Sequence, residues 1–395
     1  MEREKVNFIN LQKAVVEIRQ ACAGVKDNQR TPFFFIVGAG ISYPSIPIAS
    51  ELVKRLENSA REYGPQDEPL GKEPVDAYAH WFQAAYPQRI DRQGFLRSLI
   101  ERKPITHANL RLAHLLLERT VTNLVVTPNF DDFLTRSLQL FGKYHVICDH
   151  PKTVERIDHE QGDVQIIHVH GTYSFYDCCN LRGEIEGQAK PSEEYSMGFL
   201  LDQAMYRRSP LVVGYSGWDG DVIMTAIRKR LNQGRLPRKI YWFCYKRTDA
   251  DKLPEWLRDR GRKADDDVCF VVPEEEGGRR EPAGTRSELA AASGSIDPGR
   301  GERGLDAKDV FAGLIEAFKL KPPSLTSDPL GFFCRAPERI ATGQQRSRRR
   351  YLLHPEGHRA DRAREGVRKS GGRTKAAHRS GAGERAGGCT RLAIR

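Results

Sequence analysis

Four short polar stretches in this chain each follow an apolar run, and their residue types could act together on one ligand. The first is Gly38-Ala39-Gly40-Ile41-Ser42, reached from Phe33-Phe34-Phe35-Ile36-Val37. Gly38 and Gly40 would let the backbone turn sharply and approach a ligand, and amides at a following helix start would face an anionic diphosphate. A Gly-x-Gly after a strand serves equally to turn the chain, and the third glycine of the usual dinucleotide fingerprint is missing. The second stretch is Thr127-Pro128-Asn129-Phe130-Asp131-Asp132, where Asn129 or Asp131 could accept from free amides as a helix cap. The third is His170-Gly171-Thr172. An imidazole there could take a proton from a hydroxyl or water, or be a satisfied structural group at a strand end. The fourth is Gly214-Tyr215-Ser216-Gly217-Trp218-Asp219.

The elements that must position these stretches can be read from apolar runs and spacing. Phe33–Val37 reads as a parallel strand covered on both faces, and Ile48, Leu52, Val53 and Leu56 as one side of the helix that follows it. Further strands are expected at 124–126, 164–169, 210–213, 239–245 and 268–272, with a helix from about Asp221 to Leu231. Phe8, Leu11, Val15, Ile18 and Cys22 fall at helical spacing, which predicts a helix over 8–22 covering a sheet edge. Residues 57–110 read as a helical insertion whose Tyr78, Trp81, Phe82 and Tyr86 form a core, and which could also lie over the site as a lid. The expectation is an α/β fold, a Rossmann-like parallel sheet flanked by helices, with ligands beyond the carboxyl ends of the strands.

Composition limits the partners. The formal charge of +11 over 395 residues suggests nucleic acid until it is located. From Gly331 onward there are 17 Lys and Arg against 5 Asp and Glu, an excess of 12 that leaves residues 1–330 close to neutral. Nucleic acid is thus unexpected for the folded domain and open only for the tail, where aromatics to stack on bases are nearly absent. The eight cysteines include no Cys-x-x-Cys, so neither a zinc ribbon nor a dithiol redox site is indicated. Without a signal-type or membrane-length apolar run, a soluble cytoplasmic protein with reduced thiols is expected. Expected domains are 1–275, a linker at 276–305, a short helical segment at 306–333, and a basic, disordered tail at 334–395.

Taken in order, Gly38-Ala39-Gly40-Ile41-Ser42, Thr127-x-Asn129-x-Asp131, His170-Gly171 and Gly214-Tyr215-Ser216 resemble the four signatures of the sirtuin-like superfamily. Within it, the forms around His170 and Gly214 resemble the sirtuin-like domains of bacterial antiphage defence proteins. The resemblance implies NAD+ as substrate, with Gly38, Ala39, Gly40 and Ser42 at its diphosphate and neighbouring ribose, and Gly214 and Ser216 on the adenosine side. Asn129 would hold the nicotinamide ribose or a water, Asp131 would receive the carboxamide, and His170 would act as general base. Nicotinamide leaves through a dissociative, oxocarbenium-like path, so such a site must hold the ribose rigidly and stabilise developing positive charge.

The departures from the pattern are equally informative. Sirtuin deacylases continue the first signature with Gly-Ile-Pro-Asp-Phe-Arg, whereas this chain reads Tyr43-Pro44-Ser45-Ile46-Pro47-Ile48. They also carry two cysteine pairs binding zinc after the histidine loop, where this chain has only Cys178-Cys179 and no zinc is expected. Both losses point away from deacylation and toward hydrolysis of NAD+ to nicotinamide and ADP-ribose. A deacylase or ADP-ribosyltransferase, and a non-catalytic module binding NAD or ADP-ribose, are the alternatives. A homo-oligomer or a partner defence protein is expected to control a hydrolase of this kind.

Overall fold

The computed structural model of the chain describes residues 6–23, 31–69, 74–118, 121–158, 162–174, 196–234, 236–262, 267–274, 304–330 and 332. Cys178 and Cys179, residues 276–303 of the linker and the tail from 334 lie outside them. Eight strands form one parallel sheet in the order β1-β8-β7-β6-β2-β3-β5-β4. They are β1 (Phe8–Ile9), β2 (Phe33–Val37), β3 (Leu124–Thr127), β4 (His145–Cys148), β5 (Val164–His168), β6 (Ser209–Val213), β7 (Ile240–Phe243) and β8 (Val268–Val271). The helices are α1 (Leu11–Ala23), α2 (Ala49–Glu62), α3 (Pro74–Ala85), α4 (Arg89–Ile100), α5 (His107–Leu117) and α6 (Phe133–Leu140), then α7 (Met197–Arg207), α8 (Val222–Gln233), α9 (Glu255–Arg260), α10 (Ala307–Ala317) and the one-turn α11 (Ser324–Ser327).

The central strands are uniformly apolar because both faces are covered, and alternate side chains enter opposite cores. Phe34 and Ile36 of β2 join Val126, Ile167 and Val212 beneath Leu200, Leu201, Ile223 and Ile227 of α7 and α8. Phe33, Phe35 and Val37 enter the other core, with Val15 and Ile18 of α1, Leu112 and Leu116 of α5, and Val310, Phe311 and Leu314 of α10. There Phe35 meets Phe311 edge to face, with ring centroids 5.6 Å apart. The insertion has its own core, in which Leu56, Tyr78, Trp81, Phe82, Leu96 and Ile100 from α2, α3 and α4 pack on Phe133.

Two expectations need correction. Phe8 is not helical: Phe8 and Ile9 form β1, which pairs with Phe270 and Val271 of β8, and the helix starts only at Leu11. Its helical spacing to Leu11 is coincidental, since ladder bonds to an open sheet edge satisfy its backbone better. The half-buried β4, paired with β5 at the opposite edge, has no counterpart among the expected strands. The free thiols of Cys22, Cys148, Cys244 and Cys269 are buried in these cores. Burial pushes Cys22 and Cys244 up to about 12 and Cys148 to about 11, so these three are packing groups, not nucleophiles.

Candidate functional site

The strand order brings the four polar stretches together. β6, β2, β3 and β5 are consecutive neighbours, so their carboxyl ends lie side by side. β2 marks the switch point: the chain passes from it to β3 on one side and reaches β6 on the other only after completing β5. A crevice at such a point is where open α/β sheets hold ligands.

Hydrogen bonds stitch these loops in sheet order. Gly38 and Gly40 donate their amides to the carbonyls of Val213 and Gly214, at 3.1 and 2.9 Å, which ties the β2 loop to the β6 loop. On the other side Thr127 Oγ1 donates to the Val37 carbonyl at 2.8 Å, and Asn129 Nδ2 to the Gly38 carbonyl at 3.1 Å. His168 Nδ1 lies 2.9 Å from the Asn129 carbonyl, and the Tyr173 amide donates to Phe130 at 2.9 Å, which adds the β5 loop. His170 Nε2 then stands 2.8 Å from Oδ1 of Asp221, which begins α8 after the β6 loop. The contacts thus close on themselves, from β6 through β2, β3 and β5 and back to β6.

His170 and Asp221 are only 5% and 8% exposed. Tyr215 donates its phenolic O–H to Asp221 Oδ2 in a short hydrogen bond, so one carboxylate faces both groups. Burial works against ionised Asp221, but the adjoining His170 imidazole, the Tyr215 phenol and the Val222 amide hold its carboxyl below the usual value. The start of a helix also favours a carboxylate. Burial and the adjacent carboxylate push the Tyr215 phenol well above its ordinary range, which keeps it a hydrogen-bond donor. Asp221 was legible only as a helix start; its meeting with a histidine 51 residues earlier has no local signal.

The β2 loop differs from the expected strand-turn-helix. Ala39–Ile41 form a single 3-10 turn, the chain runs on through Tyr43 to Ile48, and α2 begins only at Ala49. The α2 amides are therefore not at the glycine turn. Within the turn itself, the amides of Ile41, Ser42 and Tyr43 donate to Gly38 and Ala39 carbonyls. Ala39 is exposed at its tip, as is Ser216 in the β6 loop. The turn is also held from α5, where Thr106 Oγ1 and Asn109 Nδ2 both donate to the Ile41 carbonyl. Neither residue stood out in the sequence, because Asn109 is a polar residue inside an apolar helix face.

Ser42 and Asp131 meet each other. Ser42 Oγ donates to Asp131 Oδ2 at 2.8 Å, and the Phe133 amide donates to Oδ1 at 3.1 Å, so Asp131 does serve the start of α6. Burial raises its carboxyl to about 6, against the opposing effect of these two bonds. Since that lies above the ordinary 3.8, the folded protein holds the proton more tightly than the unfolded chain. The stability this group contributes is thus complete below about pH 4 and lost as pH rises through about 6. Asp131→Asn should remove a pH-dependent loss of about 2–3 kcal/mol, read from urea unfolding of both proteins at pH 4 and pH 7. An unchanged pH dependence in the variant would show that Asp131 ionises as freely folded as unfolded.

The insertion adjoins the same loops. Tyr78 of α3 packs near Trp218 with ring centroids 6.3 Å apart, and Gln93 of α4 donates to the Tyr173 carbonyl at 3.0 Å. A separate cleft lined by Glu17, Phe33, Lys239 and Tyr241 lies at the amino ends of β2 and β7. Its polar groups satisfy one another, Lys239 Nζ and the Tyr241 hydroxyl each lying 2.8 Å from Glu17 Oε2. Among the described residues no three His, Cys, Asp or Glu side chains converge as a metal site requires, and no helix is long and apolar enough to cross a membrane.

Strand order and loop contacts thus define a doubly wound parallel α/β protein whose four polar stretches meet at its switch point. Residues 123–264 match the family model described as a SIR2-like domain. That stretch holds Asn129, Asp131, His170, Gly214, Ser216 and Asp221; the Gly38–Ser42 turn precedes it and joins it only in space. Among solved structures, the crystal structure of a Sir2 homolog–NAD complex aligns at 15% identity and a TM-score of 0.33, over 65% of this chain and 87% of that one. No curated protein matches the chain.

Proposed function

We propose that this protein is a sirtuin-like NAD+ glycohydrolase, which cleaves NAD+ to nicotinamide and ADP-ribose. The observation that carries the proposal is the convergence of Asn129 and His170 at the carboxyl ends of neighbouring β3 and β5, beside the glycine turn of β2. Water attacks C1′ of the nicotinamide ribose, the glycosidic electron pair passes to the nicotinamide nitrogen, and His170 takes the proton the water loses. Asn129, anchored on the Gly38 carbonyl, orients the ribose or the water. The turn at Ala39 lines the diphosphate and its neighbouring ribose, and the exposed Ser216 lines the adenosine side. Departure from the deacylase pattern after Ser42 supports water as the final nucleophile. The resemblance to antiphage proteins supplies the setting, an effector held in check by self-assembly or by a partner.

Incubating the purified full chain with NAD+ should release nicotinamide and ADP-ribose in equal amounts, followed by chromatography. An acetylated peptide added to the reaction should stay acetylated and leave the rate unchanged. Formation of O-acetyl-ADP-ribose at the expense of ADP-ribose would return the protein to the deacylases.

A further inference from the structure

Buried His170 and Asp221, with half-buried Tyr215 behind them, contain more than the proposed reaction has used. His170 Nε2 lies 2.8 Å from Asp221 Oδ1, a charge contact that is not aligned as a hydrogen bond, while His170 Nδ1 is buried with no hydrogen-bond partner. An ionised carboxylate can only accept, so it selects the imidazole tautomer that carries its proton on Nε2. The lone pair then sits on Nδ1. A buried acceptor without a partner is unfavourable, and a substrate hydroxyl would relieve it. The other carboxylate oxygen is occupied by the Tyr215 O–H, so Asp221 is fixed from behind and cannot rotate away without losing that bond.

We infer that Asp221 is the positioning residue of this site: it locks His170 as the Nε2–H tautomer, making Nδ1 the atom that receives the proton, and its charge balances the imidazolium that forms. The inference rests on the proposed hydrolysis. In that step the water O–H bond breaks, its oxygen bonds C1′, and the proton goes to Nδ1. Nε2 keeps its own proton, and Nδ1 later releases the acquired one to solvent. Tyr215 acts one position further out, by orienting Asp221.

The tautomer can be read without turnover, from two-bond proton–nitrogen correlations of the 15N-labelled full chain, with His170 assigned by its loss in His170→Gln. Wild-type protein should show the proton of neutral His170 on Nε2. In Asp221→Asn the amide oxygen will stay toward the Tyr215 O–H, so the amide nitrogen must face His170. Being a donor, it should drive the ring to the Nδ1–H tautomer and lower kcat by about a hundredfold or more with little change in KM. In Asp221→Asn with Tyr215→Phe nothing holds the amide in that orientation, and part of the Nε2–H signal and of the rate should return. A wild-type proton on Nδ1 would overturn the inference whatever the variants do. So would an Asp221→Asn protein that keeps the Nε2–H tautomer or a kcat within a few-fold of wild type. If His170→Gln cleaves NAD+ as well as the wild-type protein does, the hydrolase reading falls, whereas the tautomer measurement still judges Asp221.

Discussion

Replacing His170 by glutamine is expected to lower NAD+ cleavage at least about a hundredfold, the usual scale for losing a positioned acid-base group, with a smaller effect on NAD+ binding. Glutamine is preferable to alanine for a structural reason. His170 is buried against Asp221, and removing it would leave a buried carboxylate oxygen facing nothing, so alanine risks confusing lost chemistry with lost folding. A glutamine amide can still donate to the carboxylate but cannot act as a base near neutral pH. Asn129→Ala should bring a loss of similar size by another route, since it removes the side chain fixed on the Gly38 carbonyl and leaves in place the Asn129 backbone carbonyl that faces His168. Turnover and calorimetric NAD+ affinity should be measured together, with thermal unfolding as the control for fold. Near-normal cleavage by a folded His170→Gln protein would remove His170 from the mechanism and end the hydrolase reading in this form.

The second large effect is expected from Gly38→Ala, and it concerns the frame of the site. Gly38 has φ −107° and ψ −166°, an extended conformation any residue can adopt, so the substitution carries no backbone penalty of its own. The collision decides the outcome. A Cβ on Gly38 would lie 2.5 Å from both the Gly214 carbonyl oxygen and Tyr215 Cα, atoms of another loop's backbone that cannot swing aside. Relief requires the β2 and β6 loops to part, which breaks the hydrogen bonds that the Gly38 and Gly40 amides donate to Val213 and Gly214. A loss of about 2–3 kcal/mol in unfolding free energy is expected from such overpacking, read by urea titration. Gly94→Ala in α4 is the control. A Cβ there meets nothing within 4 Å, and alanine should stabilise that helix by up to about 1 kcal/mol. A Gly38→Ala protein as stable as wild type would mean the two loops are not packed as described.

The same contact changes what the glycine turn says about ligand binding. From the sequence, Gly38 and Gly40 are small so that a diphosphate can approach the backbone. In the fold, the group that approaches is Gly214: a Cβ on Gly40 would lie 2.8 Å from Gly214 Cα, and one on Gly214, where φ is +65°, would lie 3.0 Å from Gly40 Cα. Weakened NAD+ binding in Gly40→Ala would therefore not locate the diphosphate. The methyl group meets the β6 loop first.

Sequence alone was enough for the elements whose signal is local. The run Phe33–Val37, uniformly apolar and cut off by glycine, could only be a strand covered on both faces, and the same logic identified β3, β5, β6, β7 and β8. It also placed Asn129, Asp131, His170 and Gly214 just beyond strand ends, because polar and glycine residues punctuate apolar runs. What it could not supply is anything that depends on two distant segments meeting. β1 is too short to carry a period and β4 is only half-buried, without the uniformly apolar run of the central strands; both exist because an open sheet edge offers them hydrogen bonds. The order β6-β2-β3-β5, which turns four separate stretches into one crevice, is a property of crossovers, and no residue spacing encodes it. Asp221 reads locally as a helix start and becomes the partner of His170 only when α8 is docked behind β6. Likewise Gly40 and Gly214 lie far apart along the chain, and only packing shows that a Cβ on either would collide with the other. Apolar periodicity reports which way a side chain must face; what it will touch is decided when the layers close.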